Sequence, residues 1–506
     1  MLKILLTLNK FLPAVIITFL LICHHGFAQV DSAKKEKTGG FESYRQAGQK
    51  GFEDYKNKQQ QDFQDYKRKN DSIFIAYLKG EWKTYPITKS EEPSIPKPKT
   101  APVFESMQIL EIEIQPGTII YPEKTSEIPD VAPFLTPEPA GARKETVSFY
   151  NRPVSILKTT NVTPLPPVLS PSVFDQYFEK AIGSPVMEYN AASLYYQAKK
   201  MRLNDWGVVQ LVRKTAGQLT SDANEQALFI WYVLLRNGYI VKAGYNNDKI
   251  YLLVHPEHKL YTVNAVIDGK AFYVLPLEGE DISIKSLDSY SNNYPENQTR
   301  FTLKSDQLPT FPSVPIPGKI GSESPIEITL DKNLLDYFSS FPPGDLSVQY
   351  STPFSKLADS SLTAVFLKQL EGKTDPEKVG QLLQFVQGFP YQNDLDQFGR
   401  EKYMFAEQSL FYPYTDCDDR AVLLARLIRL FTRCKVIGLQ YNGHEALGVS
   451  GHVALGVSFQ DRTDHGAYVE VDGLKYYYCD PTYIHAGIGM ISDKYREEKP
   501  EIIFIY

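Results

Sequence analysis

Three residues in the C-terminal part of this 506-residue chain have the types and the order of a nucleophilic site for acyl chemistry. Cys417 stands at the mouth of the apolar run TDCDDRAVLLARLIRL, His452 opens HVALGVSF, and Asp480 closes KYYYCD just before Pro481. A thiol attacks a carbonyl once a neighbouring imidazole takes its proton, and a carboxylate holds that imidazole in the useful tautomer. The expected chemistry is attack on an amide, a thioester intermediate, and its resolution by water or by an amine. That scheme calls for no cofactor and no metal.

The local sequence sets conditions on this reading. Asp416 or Thr415 can cap a helix beginning near Cys417, and an acid follows three residues after each, Asp419 and Asp418. The first turn of a helix favours a thiolate. The carboxylates of Asp416, Asp418 and Asp419 oppose it, because like charge raises a thiol's pKa. Activation must therefore come from a histidine, and two compete. GHEALGVS (443–450) is followed at once by GHVALGVS (451–458), so His444 is an alternative base to His452. His452 is preferred because Val453, Leu455, Val457 and Phe459 continue one apolar strand face, which Glu445 interrupts in the earlier repeat. Cys479 should point away from Asp480, on the other face of its strand.

Placement is the next requirement. Residues 361–387 read as helix with a break at Gly372, and 388–413 as an aromatic-rich loop before the Cys417 helix. His452 starts a strand and Asp480 ends one. The two meet only if those strands are antiparallel neighbours, with the strand in GAYVEVDG (466–473) outside the pair.

A net charge of −6 leaves no basic footprint for nucleic acid. Lys3 and Lys10, the run FLPAVIITFLLI and the small residues around Gly26-Phe27-Ala28 read as a cleaved export signal over 1–28. Ile22 before Cys23 argues against lipid attachment, and no later segment reads as transmembrane. The chain is expected to be exported, to a periplasm or outside the cell. It keeps Cys417, Cys434 and Cys479, an odd number, of which Cys434 and Cys479 could pair in an oxidising compartment. No C-x-x-C suggests zinc.

Upstream, Phe-x-x-Tyr recurs every 11 residues at Phe41, Phe52, Phe63 and Phe74. Eleven residues make three helical turns, so 41–83 reads as one amphipathic helix with an aromatic stripe, expected to pack on the body or on a second helix. Residues 84–102 read as a Pro-rich linker, MQILEIEI (107–114) as a strand, and 121–146 as loop.

The chain also reads as a duplication. SDANEQALFIWYVLLRNGYIVKAGY (221–245) aligns with TDCDDRAVLLARLIRLFTRCKVIGLQY (415–441), and IDGKAFYVLP (267–276) with VDGLKYYYCDP (471–481). Ala223 then falls on Cys417 and Leu275 on Asp480, so the first copy lacks the thiol and the carboxylate. FDQYFEKAIGSPVMEYNAAS (174–193) echoes YFSSFPPGDLSVQYSTPFSK (337–356) more weakly. The expected domains are a degenerate α+β copy over 103–315 and the copy with the three residues over 320–506, each with helices followed by short strands.

Residues FPYQNDLDQFGREKYMFAEQSLFYPYTDCDDRAVLLARL, GHVALGV and YYYCDPTYI resemble the transglutaminase-like superfamily, specifically its secreted bacterial members. The resemblance covers about 380–490. It implies a papain-like α+β fold with Cys417 as nucleophile, His452 as general base and acid, and Asp480 as orienter. It implies a protein or peptide substrate, by hydrolysis or cross-linking, or alternatively an inactive envelope scaffold. In the secreted members the histidine directly follows the strand tyrosine, as in Tyr441-Asn442-Gly443-His444, which keeps His444 in play. The N–H of Cys417 is one expected oxyanion donor, with Gln392 and Tyr414 as further candidates.

Overall fold

A computed structural model describes residues 38–90, 97–104, 111–120, 136–159, 165–277, 282–295, 297, 299–304, 306–318, 327–442, 451–460 and 466–505. The expected export signal and His444 lie outside the described residues. The chain divides into two units, 1–70 and 71–506.

The helix predicted from the aromatic repeat runs Thr38–Leu78 and carries chain from the first unit into the second. Among the described side chains, the last repeat is packed within the second unit. In the first unit Phe52, Tyr55 and Phe63 are exposed, at 69%, 58% and 62%. In the second unit Phe74 is fully buried, its ring edge-on to Phe178 at 5.1 Å, Tyr294 at 5.2 Å and Tyr290 at 5.7 Å. One turn earlier, Asp71 accepts from Arg236 Nη1 at 2.6 Å and from the Tyr294 hydroxyl at 2.7 Å.

The helix stops short of residue 83 because Trp82–Lys89 is strand β1, not the start of a linker. Tyr85 and Ile87, two residues apart, give that strand one apolar side, and Trp82 packs on the other core. Short strands β2 (Ile112–Ile114) and β3 (Ile119–Ile120) follow. A hairpin, β4 (Lys144–Phe149) with β5 (Arg152–Leu157), occupies the end of the expected 121–146 loop.

The first α+β layer has helices Pro171–Ile182, Pro185–Lys200, Asp205–Leu219 and Ala223–Arg236. Strands β6 (Val241–Asn246), β7 (Lys249–Val254), β8 (Val263–Ile267), β9 (Lys270–Val274) and β10 (Ser286–Tyr290) come next. β1 pairs with both β10 and β8, closing a barrel in the order β1-β10-β6-β7-β9-β8. Closure leaves no strand edge unpaired.

A small ribbon of β11 (Pro315–Pro317) and β12 (Thr329–Asp331) leads into the second α+β layer. Its main helices are Lys332–Ser339, Lys356–Leu370, Asp375–Gln387 and Cys417–Phe431. The helix break falls at Gly372, whose φ of +73° suits glycine. β13 (Lys435–Tyr441), β14 (His452–Ser458), β15 (Ala467–Val471), β16 (Leu474–Cys479) and β17 (Glu501–Ile505) complete it. The sheet order is β2-β15-β16-β14-β13-β17-β3. β2 and β3 come from the range expected for the first domain, yet they cover the two edges of the second sheet, both in parallel. The boundary between 103–315 and 320–506 is therefore crossed by chain.

The fold class is α+β, as expected. The five strands after helix Ala223–Arg236 are ordered β10-β6-β7-β9-β8, and those after helix Cys417–Phe431 are ordered β17-β13-β14-β16-β15. Taken in chain order, the two arrangements are the same.

β14 is buried on both faces. Val453, Leu455 and Val457 join the core formed with the Cys417 helix, and Ala454 joins the opposite core with Tyr476 and Tyr478. A Cβ on Gly456 would lie 2.8 Å from Ile437 Cγ1 and 2.9 Å from Tyr476 Cβ, so only glycine fits there.

Phe74→Ala should cost about 3–5 kcal/mol in chemical unfolding, the usual range for emptying a buried phenylalanine site. Phe63→Ala should stay within about 0.5 kcal/mol. Equal effects would contradict the burial of Phe74.

Candidate active site

The placement condition is met. β14 and β16 are antiparallel neighbours, and β15 lies outside them. His452 and Asp480 meet at the shared end, with Nε2 2.7 Å from Asp480 Oδ2. Oδ2 also accepts from the Tyr478 hydroxyl at 3.1 Å. Oδ1 accepts from the N–H groups of Thr482 at 2.9 Å and Tyr483 at 3.3 Å. Burial alone would raise Asp480, but His452 and the two N–H groups outweigh it and hold its pKa below the usual carboxylate value. An ionised acceptor requires a proton on Nε2, which leaves Nδ1 as the basic nitrogen. The imidazole is fully enclosed and stacks on Tyr495 at 4.8 Å between centroids.

Two buried side chains tie this loop to the Cys417 helix. Gln387 Nε2 donates towards the carbonyls of Asp480, Tyr483 and Ala486 at 3.0, 2.9 and 2.9 Å. Arg420 is fully buried, with Nε on Thr415 Oγ1 at 3.2 Å, Nη1 on the Pro481 carbonyl at 3.4 Å and Nη2 on the Phe389 carbonyl. Sequence reasoning missed both. The available signal was Arg420 at the head of the apolar stretch AVLLA.

Cys417 opens its helix as expected, and Asp419 Oδ2 accepts from the N–H of Asp416 at 3.1 Å. The thiol is 1% exposed. It leans on Asp418 Oδ1 at 3.7 Å and receives the backbone N–H of Val453, the residue after His452. Among the described residues no hydrogen bond joins Sγ to the His452 ring. Burial pushes the thiol well above its ordinary pKa, and Asp416 and Asp418 add to this against the opposing Lys97 charge and the Val453 N–H. The predicted conflict between the helix terminus and its acids is thus present.

The expected loop contains two short helices, Asp394–Phe398 and Ala406–Ser409. Residues 388–416 stand where the first layer has only residues 220–222, and they bring Asp394 and Glu401 to the acids beside Cys417. The partner of these acids comes from the supposed linker. Lys97 Nζ lies 2.6 Å from Asp418 Oδ1 and 2.8 Å from Asp416 Oδ2, is bonded to Glu401, and stands 4.0 Å from Asp394. Burial disfavours this ammonium, but Asp416, Asp418, Cys417 and Glu401 outweigh it and hold its pKa well above normal. Burial also disfavours ionised Asp418, yet Lys97 draws its pKa down. Asp394 is pushed up to about 8, by burial first and then by Asp418.

Neither expected oxyanion side chain reaches the thiol through a described contact. Gln392 offers its backbone N–H to the Thr415 carbonyl at 3.4 Å, and Tyr414 is 40% exposed. Tyr391, bridged to Thr415, and Tyr350 are tyrosines whose charge interacts with Cys417, and the buried hydroxyl of each has no partner among the described residues. Cys434 and Cys479 are free thiols and do not form the disulfide considered from sequence. Three overlapping groups, Asp416-Cys417-Asp418, Asp394-Asp416-Asp419 and Asp394-Glu401-Asp418, bring possible metal-ligand atoms within 4.8 Å of one another, a clustering the sequence reading had not found. A cavity of about 730 Å³ lies between the helices of the first layer, lined by Tyr177, Met187, Glu225 and Phe229, and shares no residue with this site.

No family model, curated protein or solved structure matches the chain.

Asp394 yields a pH prediction. Its folded pKa near 8 exceeds the unfolded value of about 4, so the folded state holds an extra proton between them. Its contribution is full below pH 4 and is lost as pH rises to about 8. Asp394→Asn should therefore raise the melting temperature at pH 8 relative to wild type, with the gain shrinking towards pH 4. A gain that grows on acidification would contradict the shift.

Proposed function

We propose that this chain is an exported cysteine-dependent enzyme acting on amide bonds of proteins or peptides, with a transglutaminase-like second layer. The observation that carries the reading is the His452–Asp480 pair, held at 2.7 Å where the next backbone N–H reaches the Cys417 thiol. In this scheme Nδ1 of His452 takes the thiol proton and Sγ attacks the substrate carbonyl. The C–N bond then breaks, and the amine leaves with that proton. Water or a second amine attacks the thioester, gives a proton back through His452, and restores the thiol. Asp480 keeps the proton on Nε2 throughout. The N–H of Cys417 and the hydroxyl of Tyr391 are the proposed oxyanion donors, replacing Gln392 and Tyr414.

The matching strand orders support a duplication in which Ala223 and Leu275 mark a non-catalytic first copy. The Asp222–Glu225 cap supports it too, since Glu225 N–H donates to Asp222 Oδ1 at 2.9 Å at the positions aligned with Asp416 and Asp419. A second reading, an inactive envelope-associated binding protein, is favoured by one observation. The thiol is buried and held in its neutral form, with no bond to the imidazole.

The mature protein and Cys417→Ala should be incubated with a cell-envelope extract and their products compared by mass. The enzyme reading expects peptide cleavage or cross-linking that Cys417→Ala abolishes, and that His452→Ala lowers by about 10²–10⁴, the usual worth of a general base. Identical products from all three proteins would favour the binding reading. A second check needs no substrate. Alkylation of Cys417 should accelerate as pH rises past the ordinary thiol range, and a rate flat from pH 6 to about 10 would contradict the raised pKa.

A further inference from the structure

The acids beside Cys417 have a geometry that the acyl chemistry does not use. Asp394 Oδ1 is a buried oxygen without a hydrogen-bond partner, on a side chain 1% exposed, and the buried side chains of Asp416 and Asp418 share a hydrogen bond beside it. Buried carboxyl groups packed this closely are costly unless a cation stands among them. A donor already stands among them. Lys97 Nζ bonds Asp416, Asp418 and Glu401, and lies 5.9 Å from the centre of the Tyr403 ring. Several carboxylates with an aromatic face beside them are the chemistry that selects a primary ammonium.

Lys97 reaches the cage on a tether. Downstream of it, Val103 bridges to Ile484. The N–H of Phe104 donates to the Ile484 carbonyl at 2.9 Å, and the N–H of Ile484 to the Pro102 carbonyl at 2.9 Å. Segment 97–104 is therefore fastened to the loop after Asp480, and its lysine is seated at the start of the Cys417 helix. An ammonium held by three carboxylates has no lone pair. It is an occupant of the cage and not an attacking amine.

We infer that Asp394, Glu401, Asp416 and Asp418 form a recognition subsite for the protonated lysyl side chain of a peptide substrate, and that the chain's own Lys97 fills it. The link to a substrate rests on the proposed role of Cys417; ammonium binding itself can be measured without turnover. Withdrawal of Lys97 opens the subsite beside the thiol, and a peptide lysine then takes its three carboxylate contacts.

The test uses the full mature chain carrying Cys417→Ser and Lys97→Gln, with n-butylammonium as probe, n-butanol as the uncharged control and Ca²⁺ as the metal arm. A saturable rise in melting temperature with n-butylammonium, absent with n-butanol and lost on adding Asp418→Asn, is the expected result. No rise, an equal rise with n-butanol, or a rise with Ca²⁺ alone overturns the inference, the last in favour of a metal site. Should that variant not fold, Lys97→Gln with Glu401→Gln removes one charge of each sign and keeps Asp394, Asp416 and Asp418 for the same measurement. The unsubstituted chain gives an independent readout. Lys97 should be among the slowest lysines to react with an amine-directed reagent, and n-butylammonium should speed its modification severalfold by displacing it. Fast modification of Lys97, or none of this acceleration, counts against the subsite. Ammonium binding without any Cys417-dependent product would remove the enzyme reading and keep the subsite, and product formation without ammonium binding would do the reverse.

Discussion

Buried negative charge at the start of one helix governs the region around Cys417. Asp416, Asp418 and Asp419 are all fully buried there, and Asp394 joins them from the preceding loop. Isolated ionised carboxylates do not survive in such a place. The fold answers in two ways. Lys97 supplies a cation that keeps Asp418 ionised, while burial and mutual repulsion push Asp394, Asp416 and Asp419 towards their neutral forms. The same charges act on the thiol. Lys97 draws its pKa down and the acids raise it, with burial as the largest contribution, so removing or seating this one lysine alters the chemistry available to Cys417.

The other half of the site is rigid for a different reason. Asp480 is fixed by two backbone N–H groups, a tyrosine hydroxyl and His452, and the loop behind it is pinned by Gln387 and Arg420. Asp480 is held in its ionised form by these donors, and Arg420 directs its guanidinium to two backbone carbonyls and a threonine hydroxyl. The site thus joins a preorganised imidazole–carboxylate pair to a thiol whose surroundings are set by a tethered lysine. Preorganisation of the base pair is what acyl chemistry requires.

Much of this was legible in the residues. The 11-residue aromatic repeat gave a helix, because three turns return the same face. The break at Gly372 and the start of the Cys417 helix followed from glycine and capping chemistry. Alternating apolar residues gave β14 and its buried face, and the tandem repeat's interrupted face directed attention to His452. The region 84–102 misled because proline and charge describe composition and not partners. Its first part closes a barrel through β1, and its later part inserts Lys97 among acids more than 290 residues further along the chain. Gln392 and Tyr414 make no described hydrogen bond to the thiol for a similar reason. Gln392 and Tyr414 are near Cys417 in sequence or along the loop, but contact with the thiol depends on how residues 388–416 fold back.

The sequence by itself determined the element types and the order of Cys417, His452 and Asp480, because periodicity, capping and turn chemistry are local. It also determined that a thiol among three acids needs outside help. Only the tertiary structure decided that β15 stands outside the β14–β16 pair, so that His452 and Asp480 meet. Only it placed Lys97 and Arg420 beside these groups. Strand neighbours and buried charge partners are set by packing across long stretches of chain, where spacing along the sequence carries no distance information.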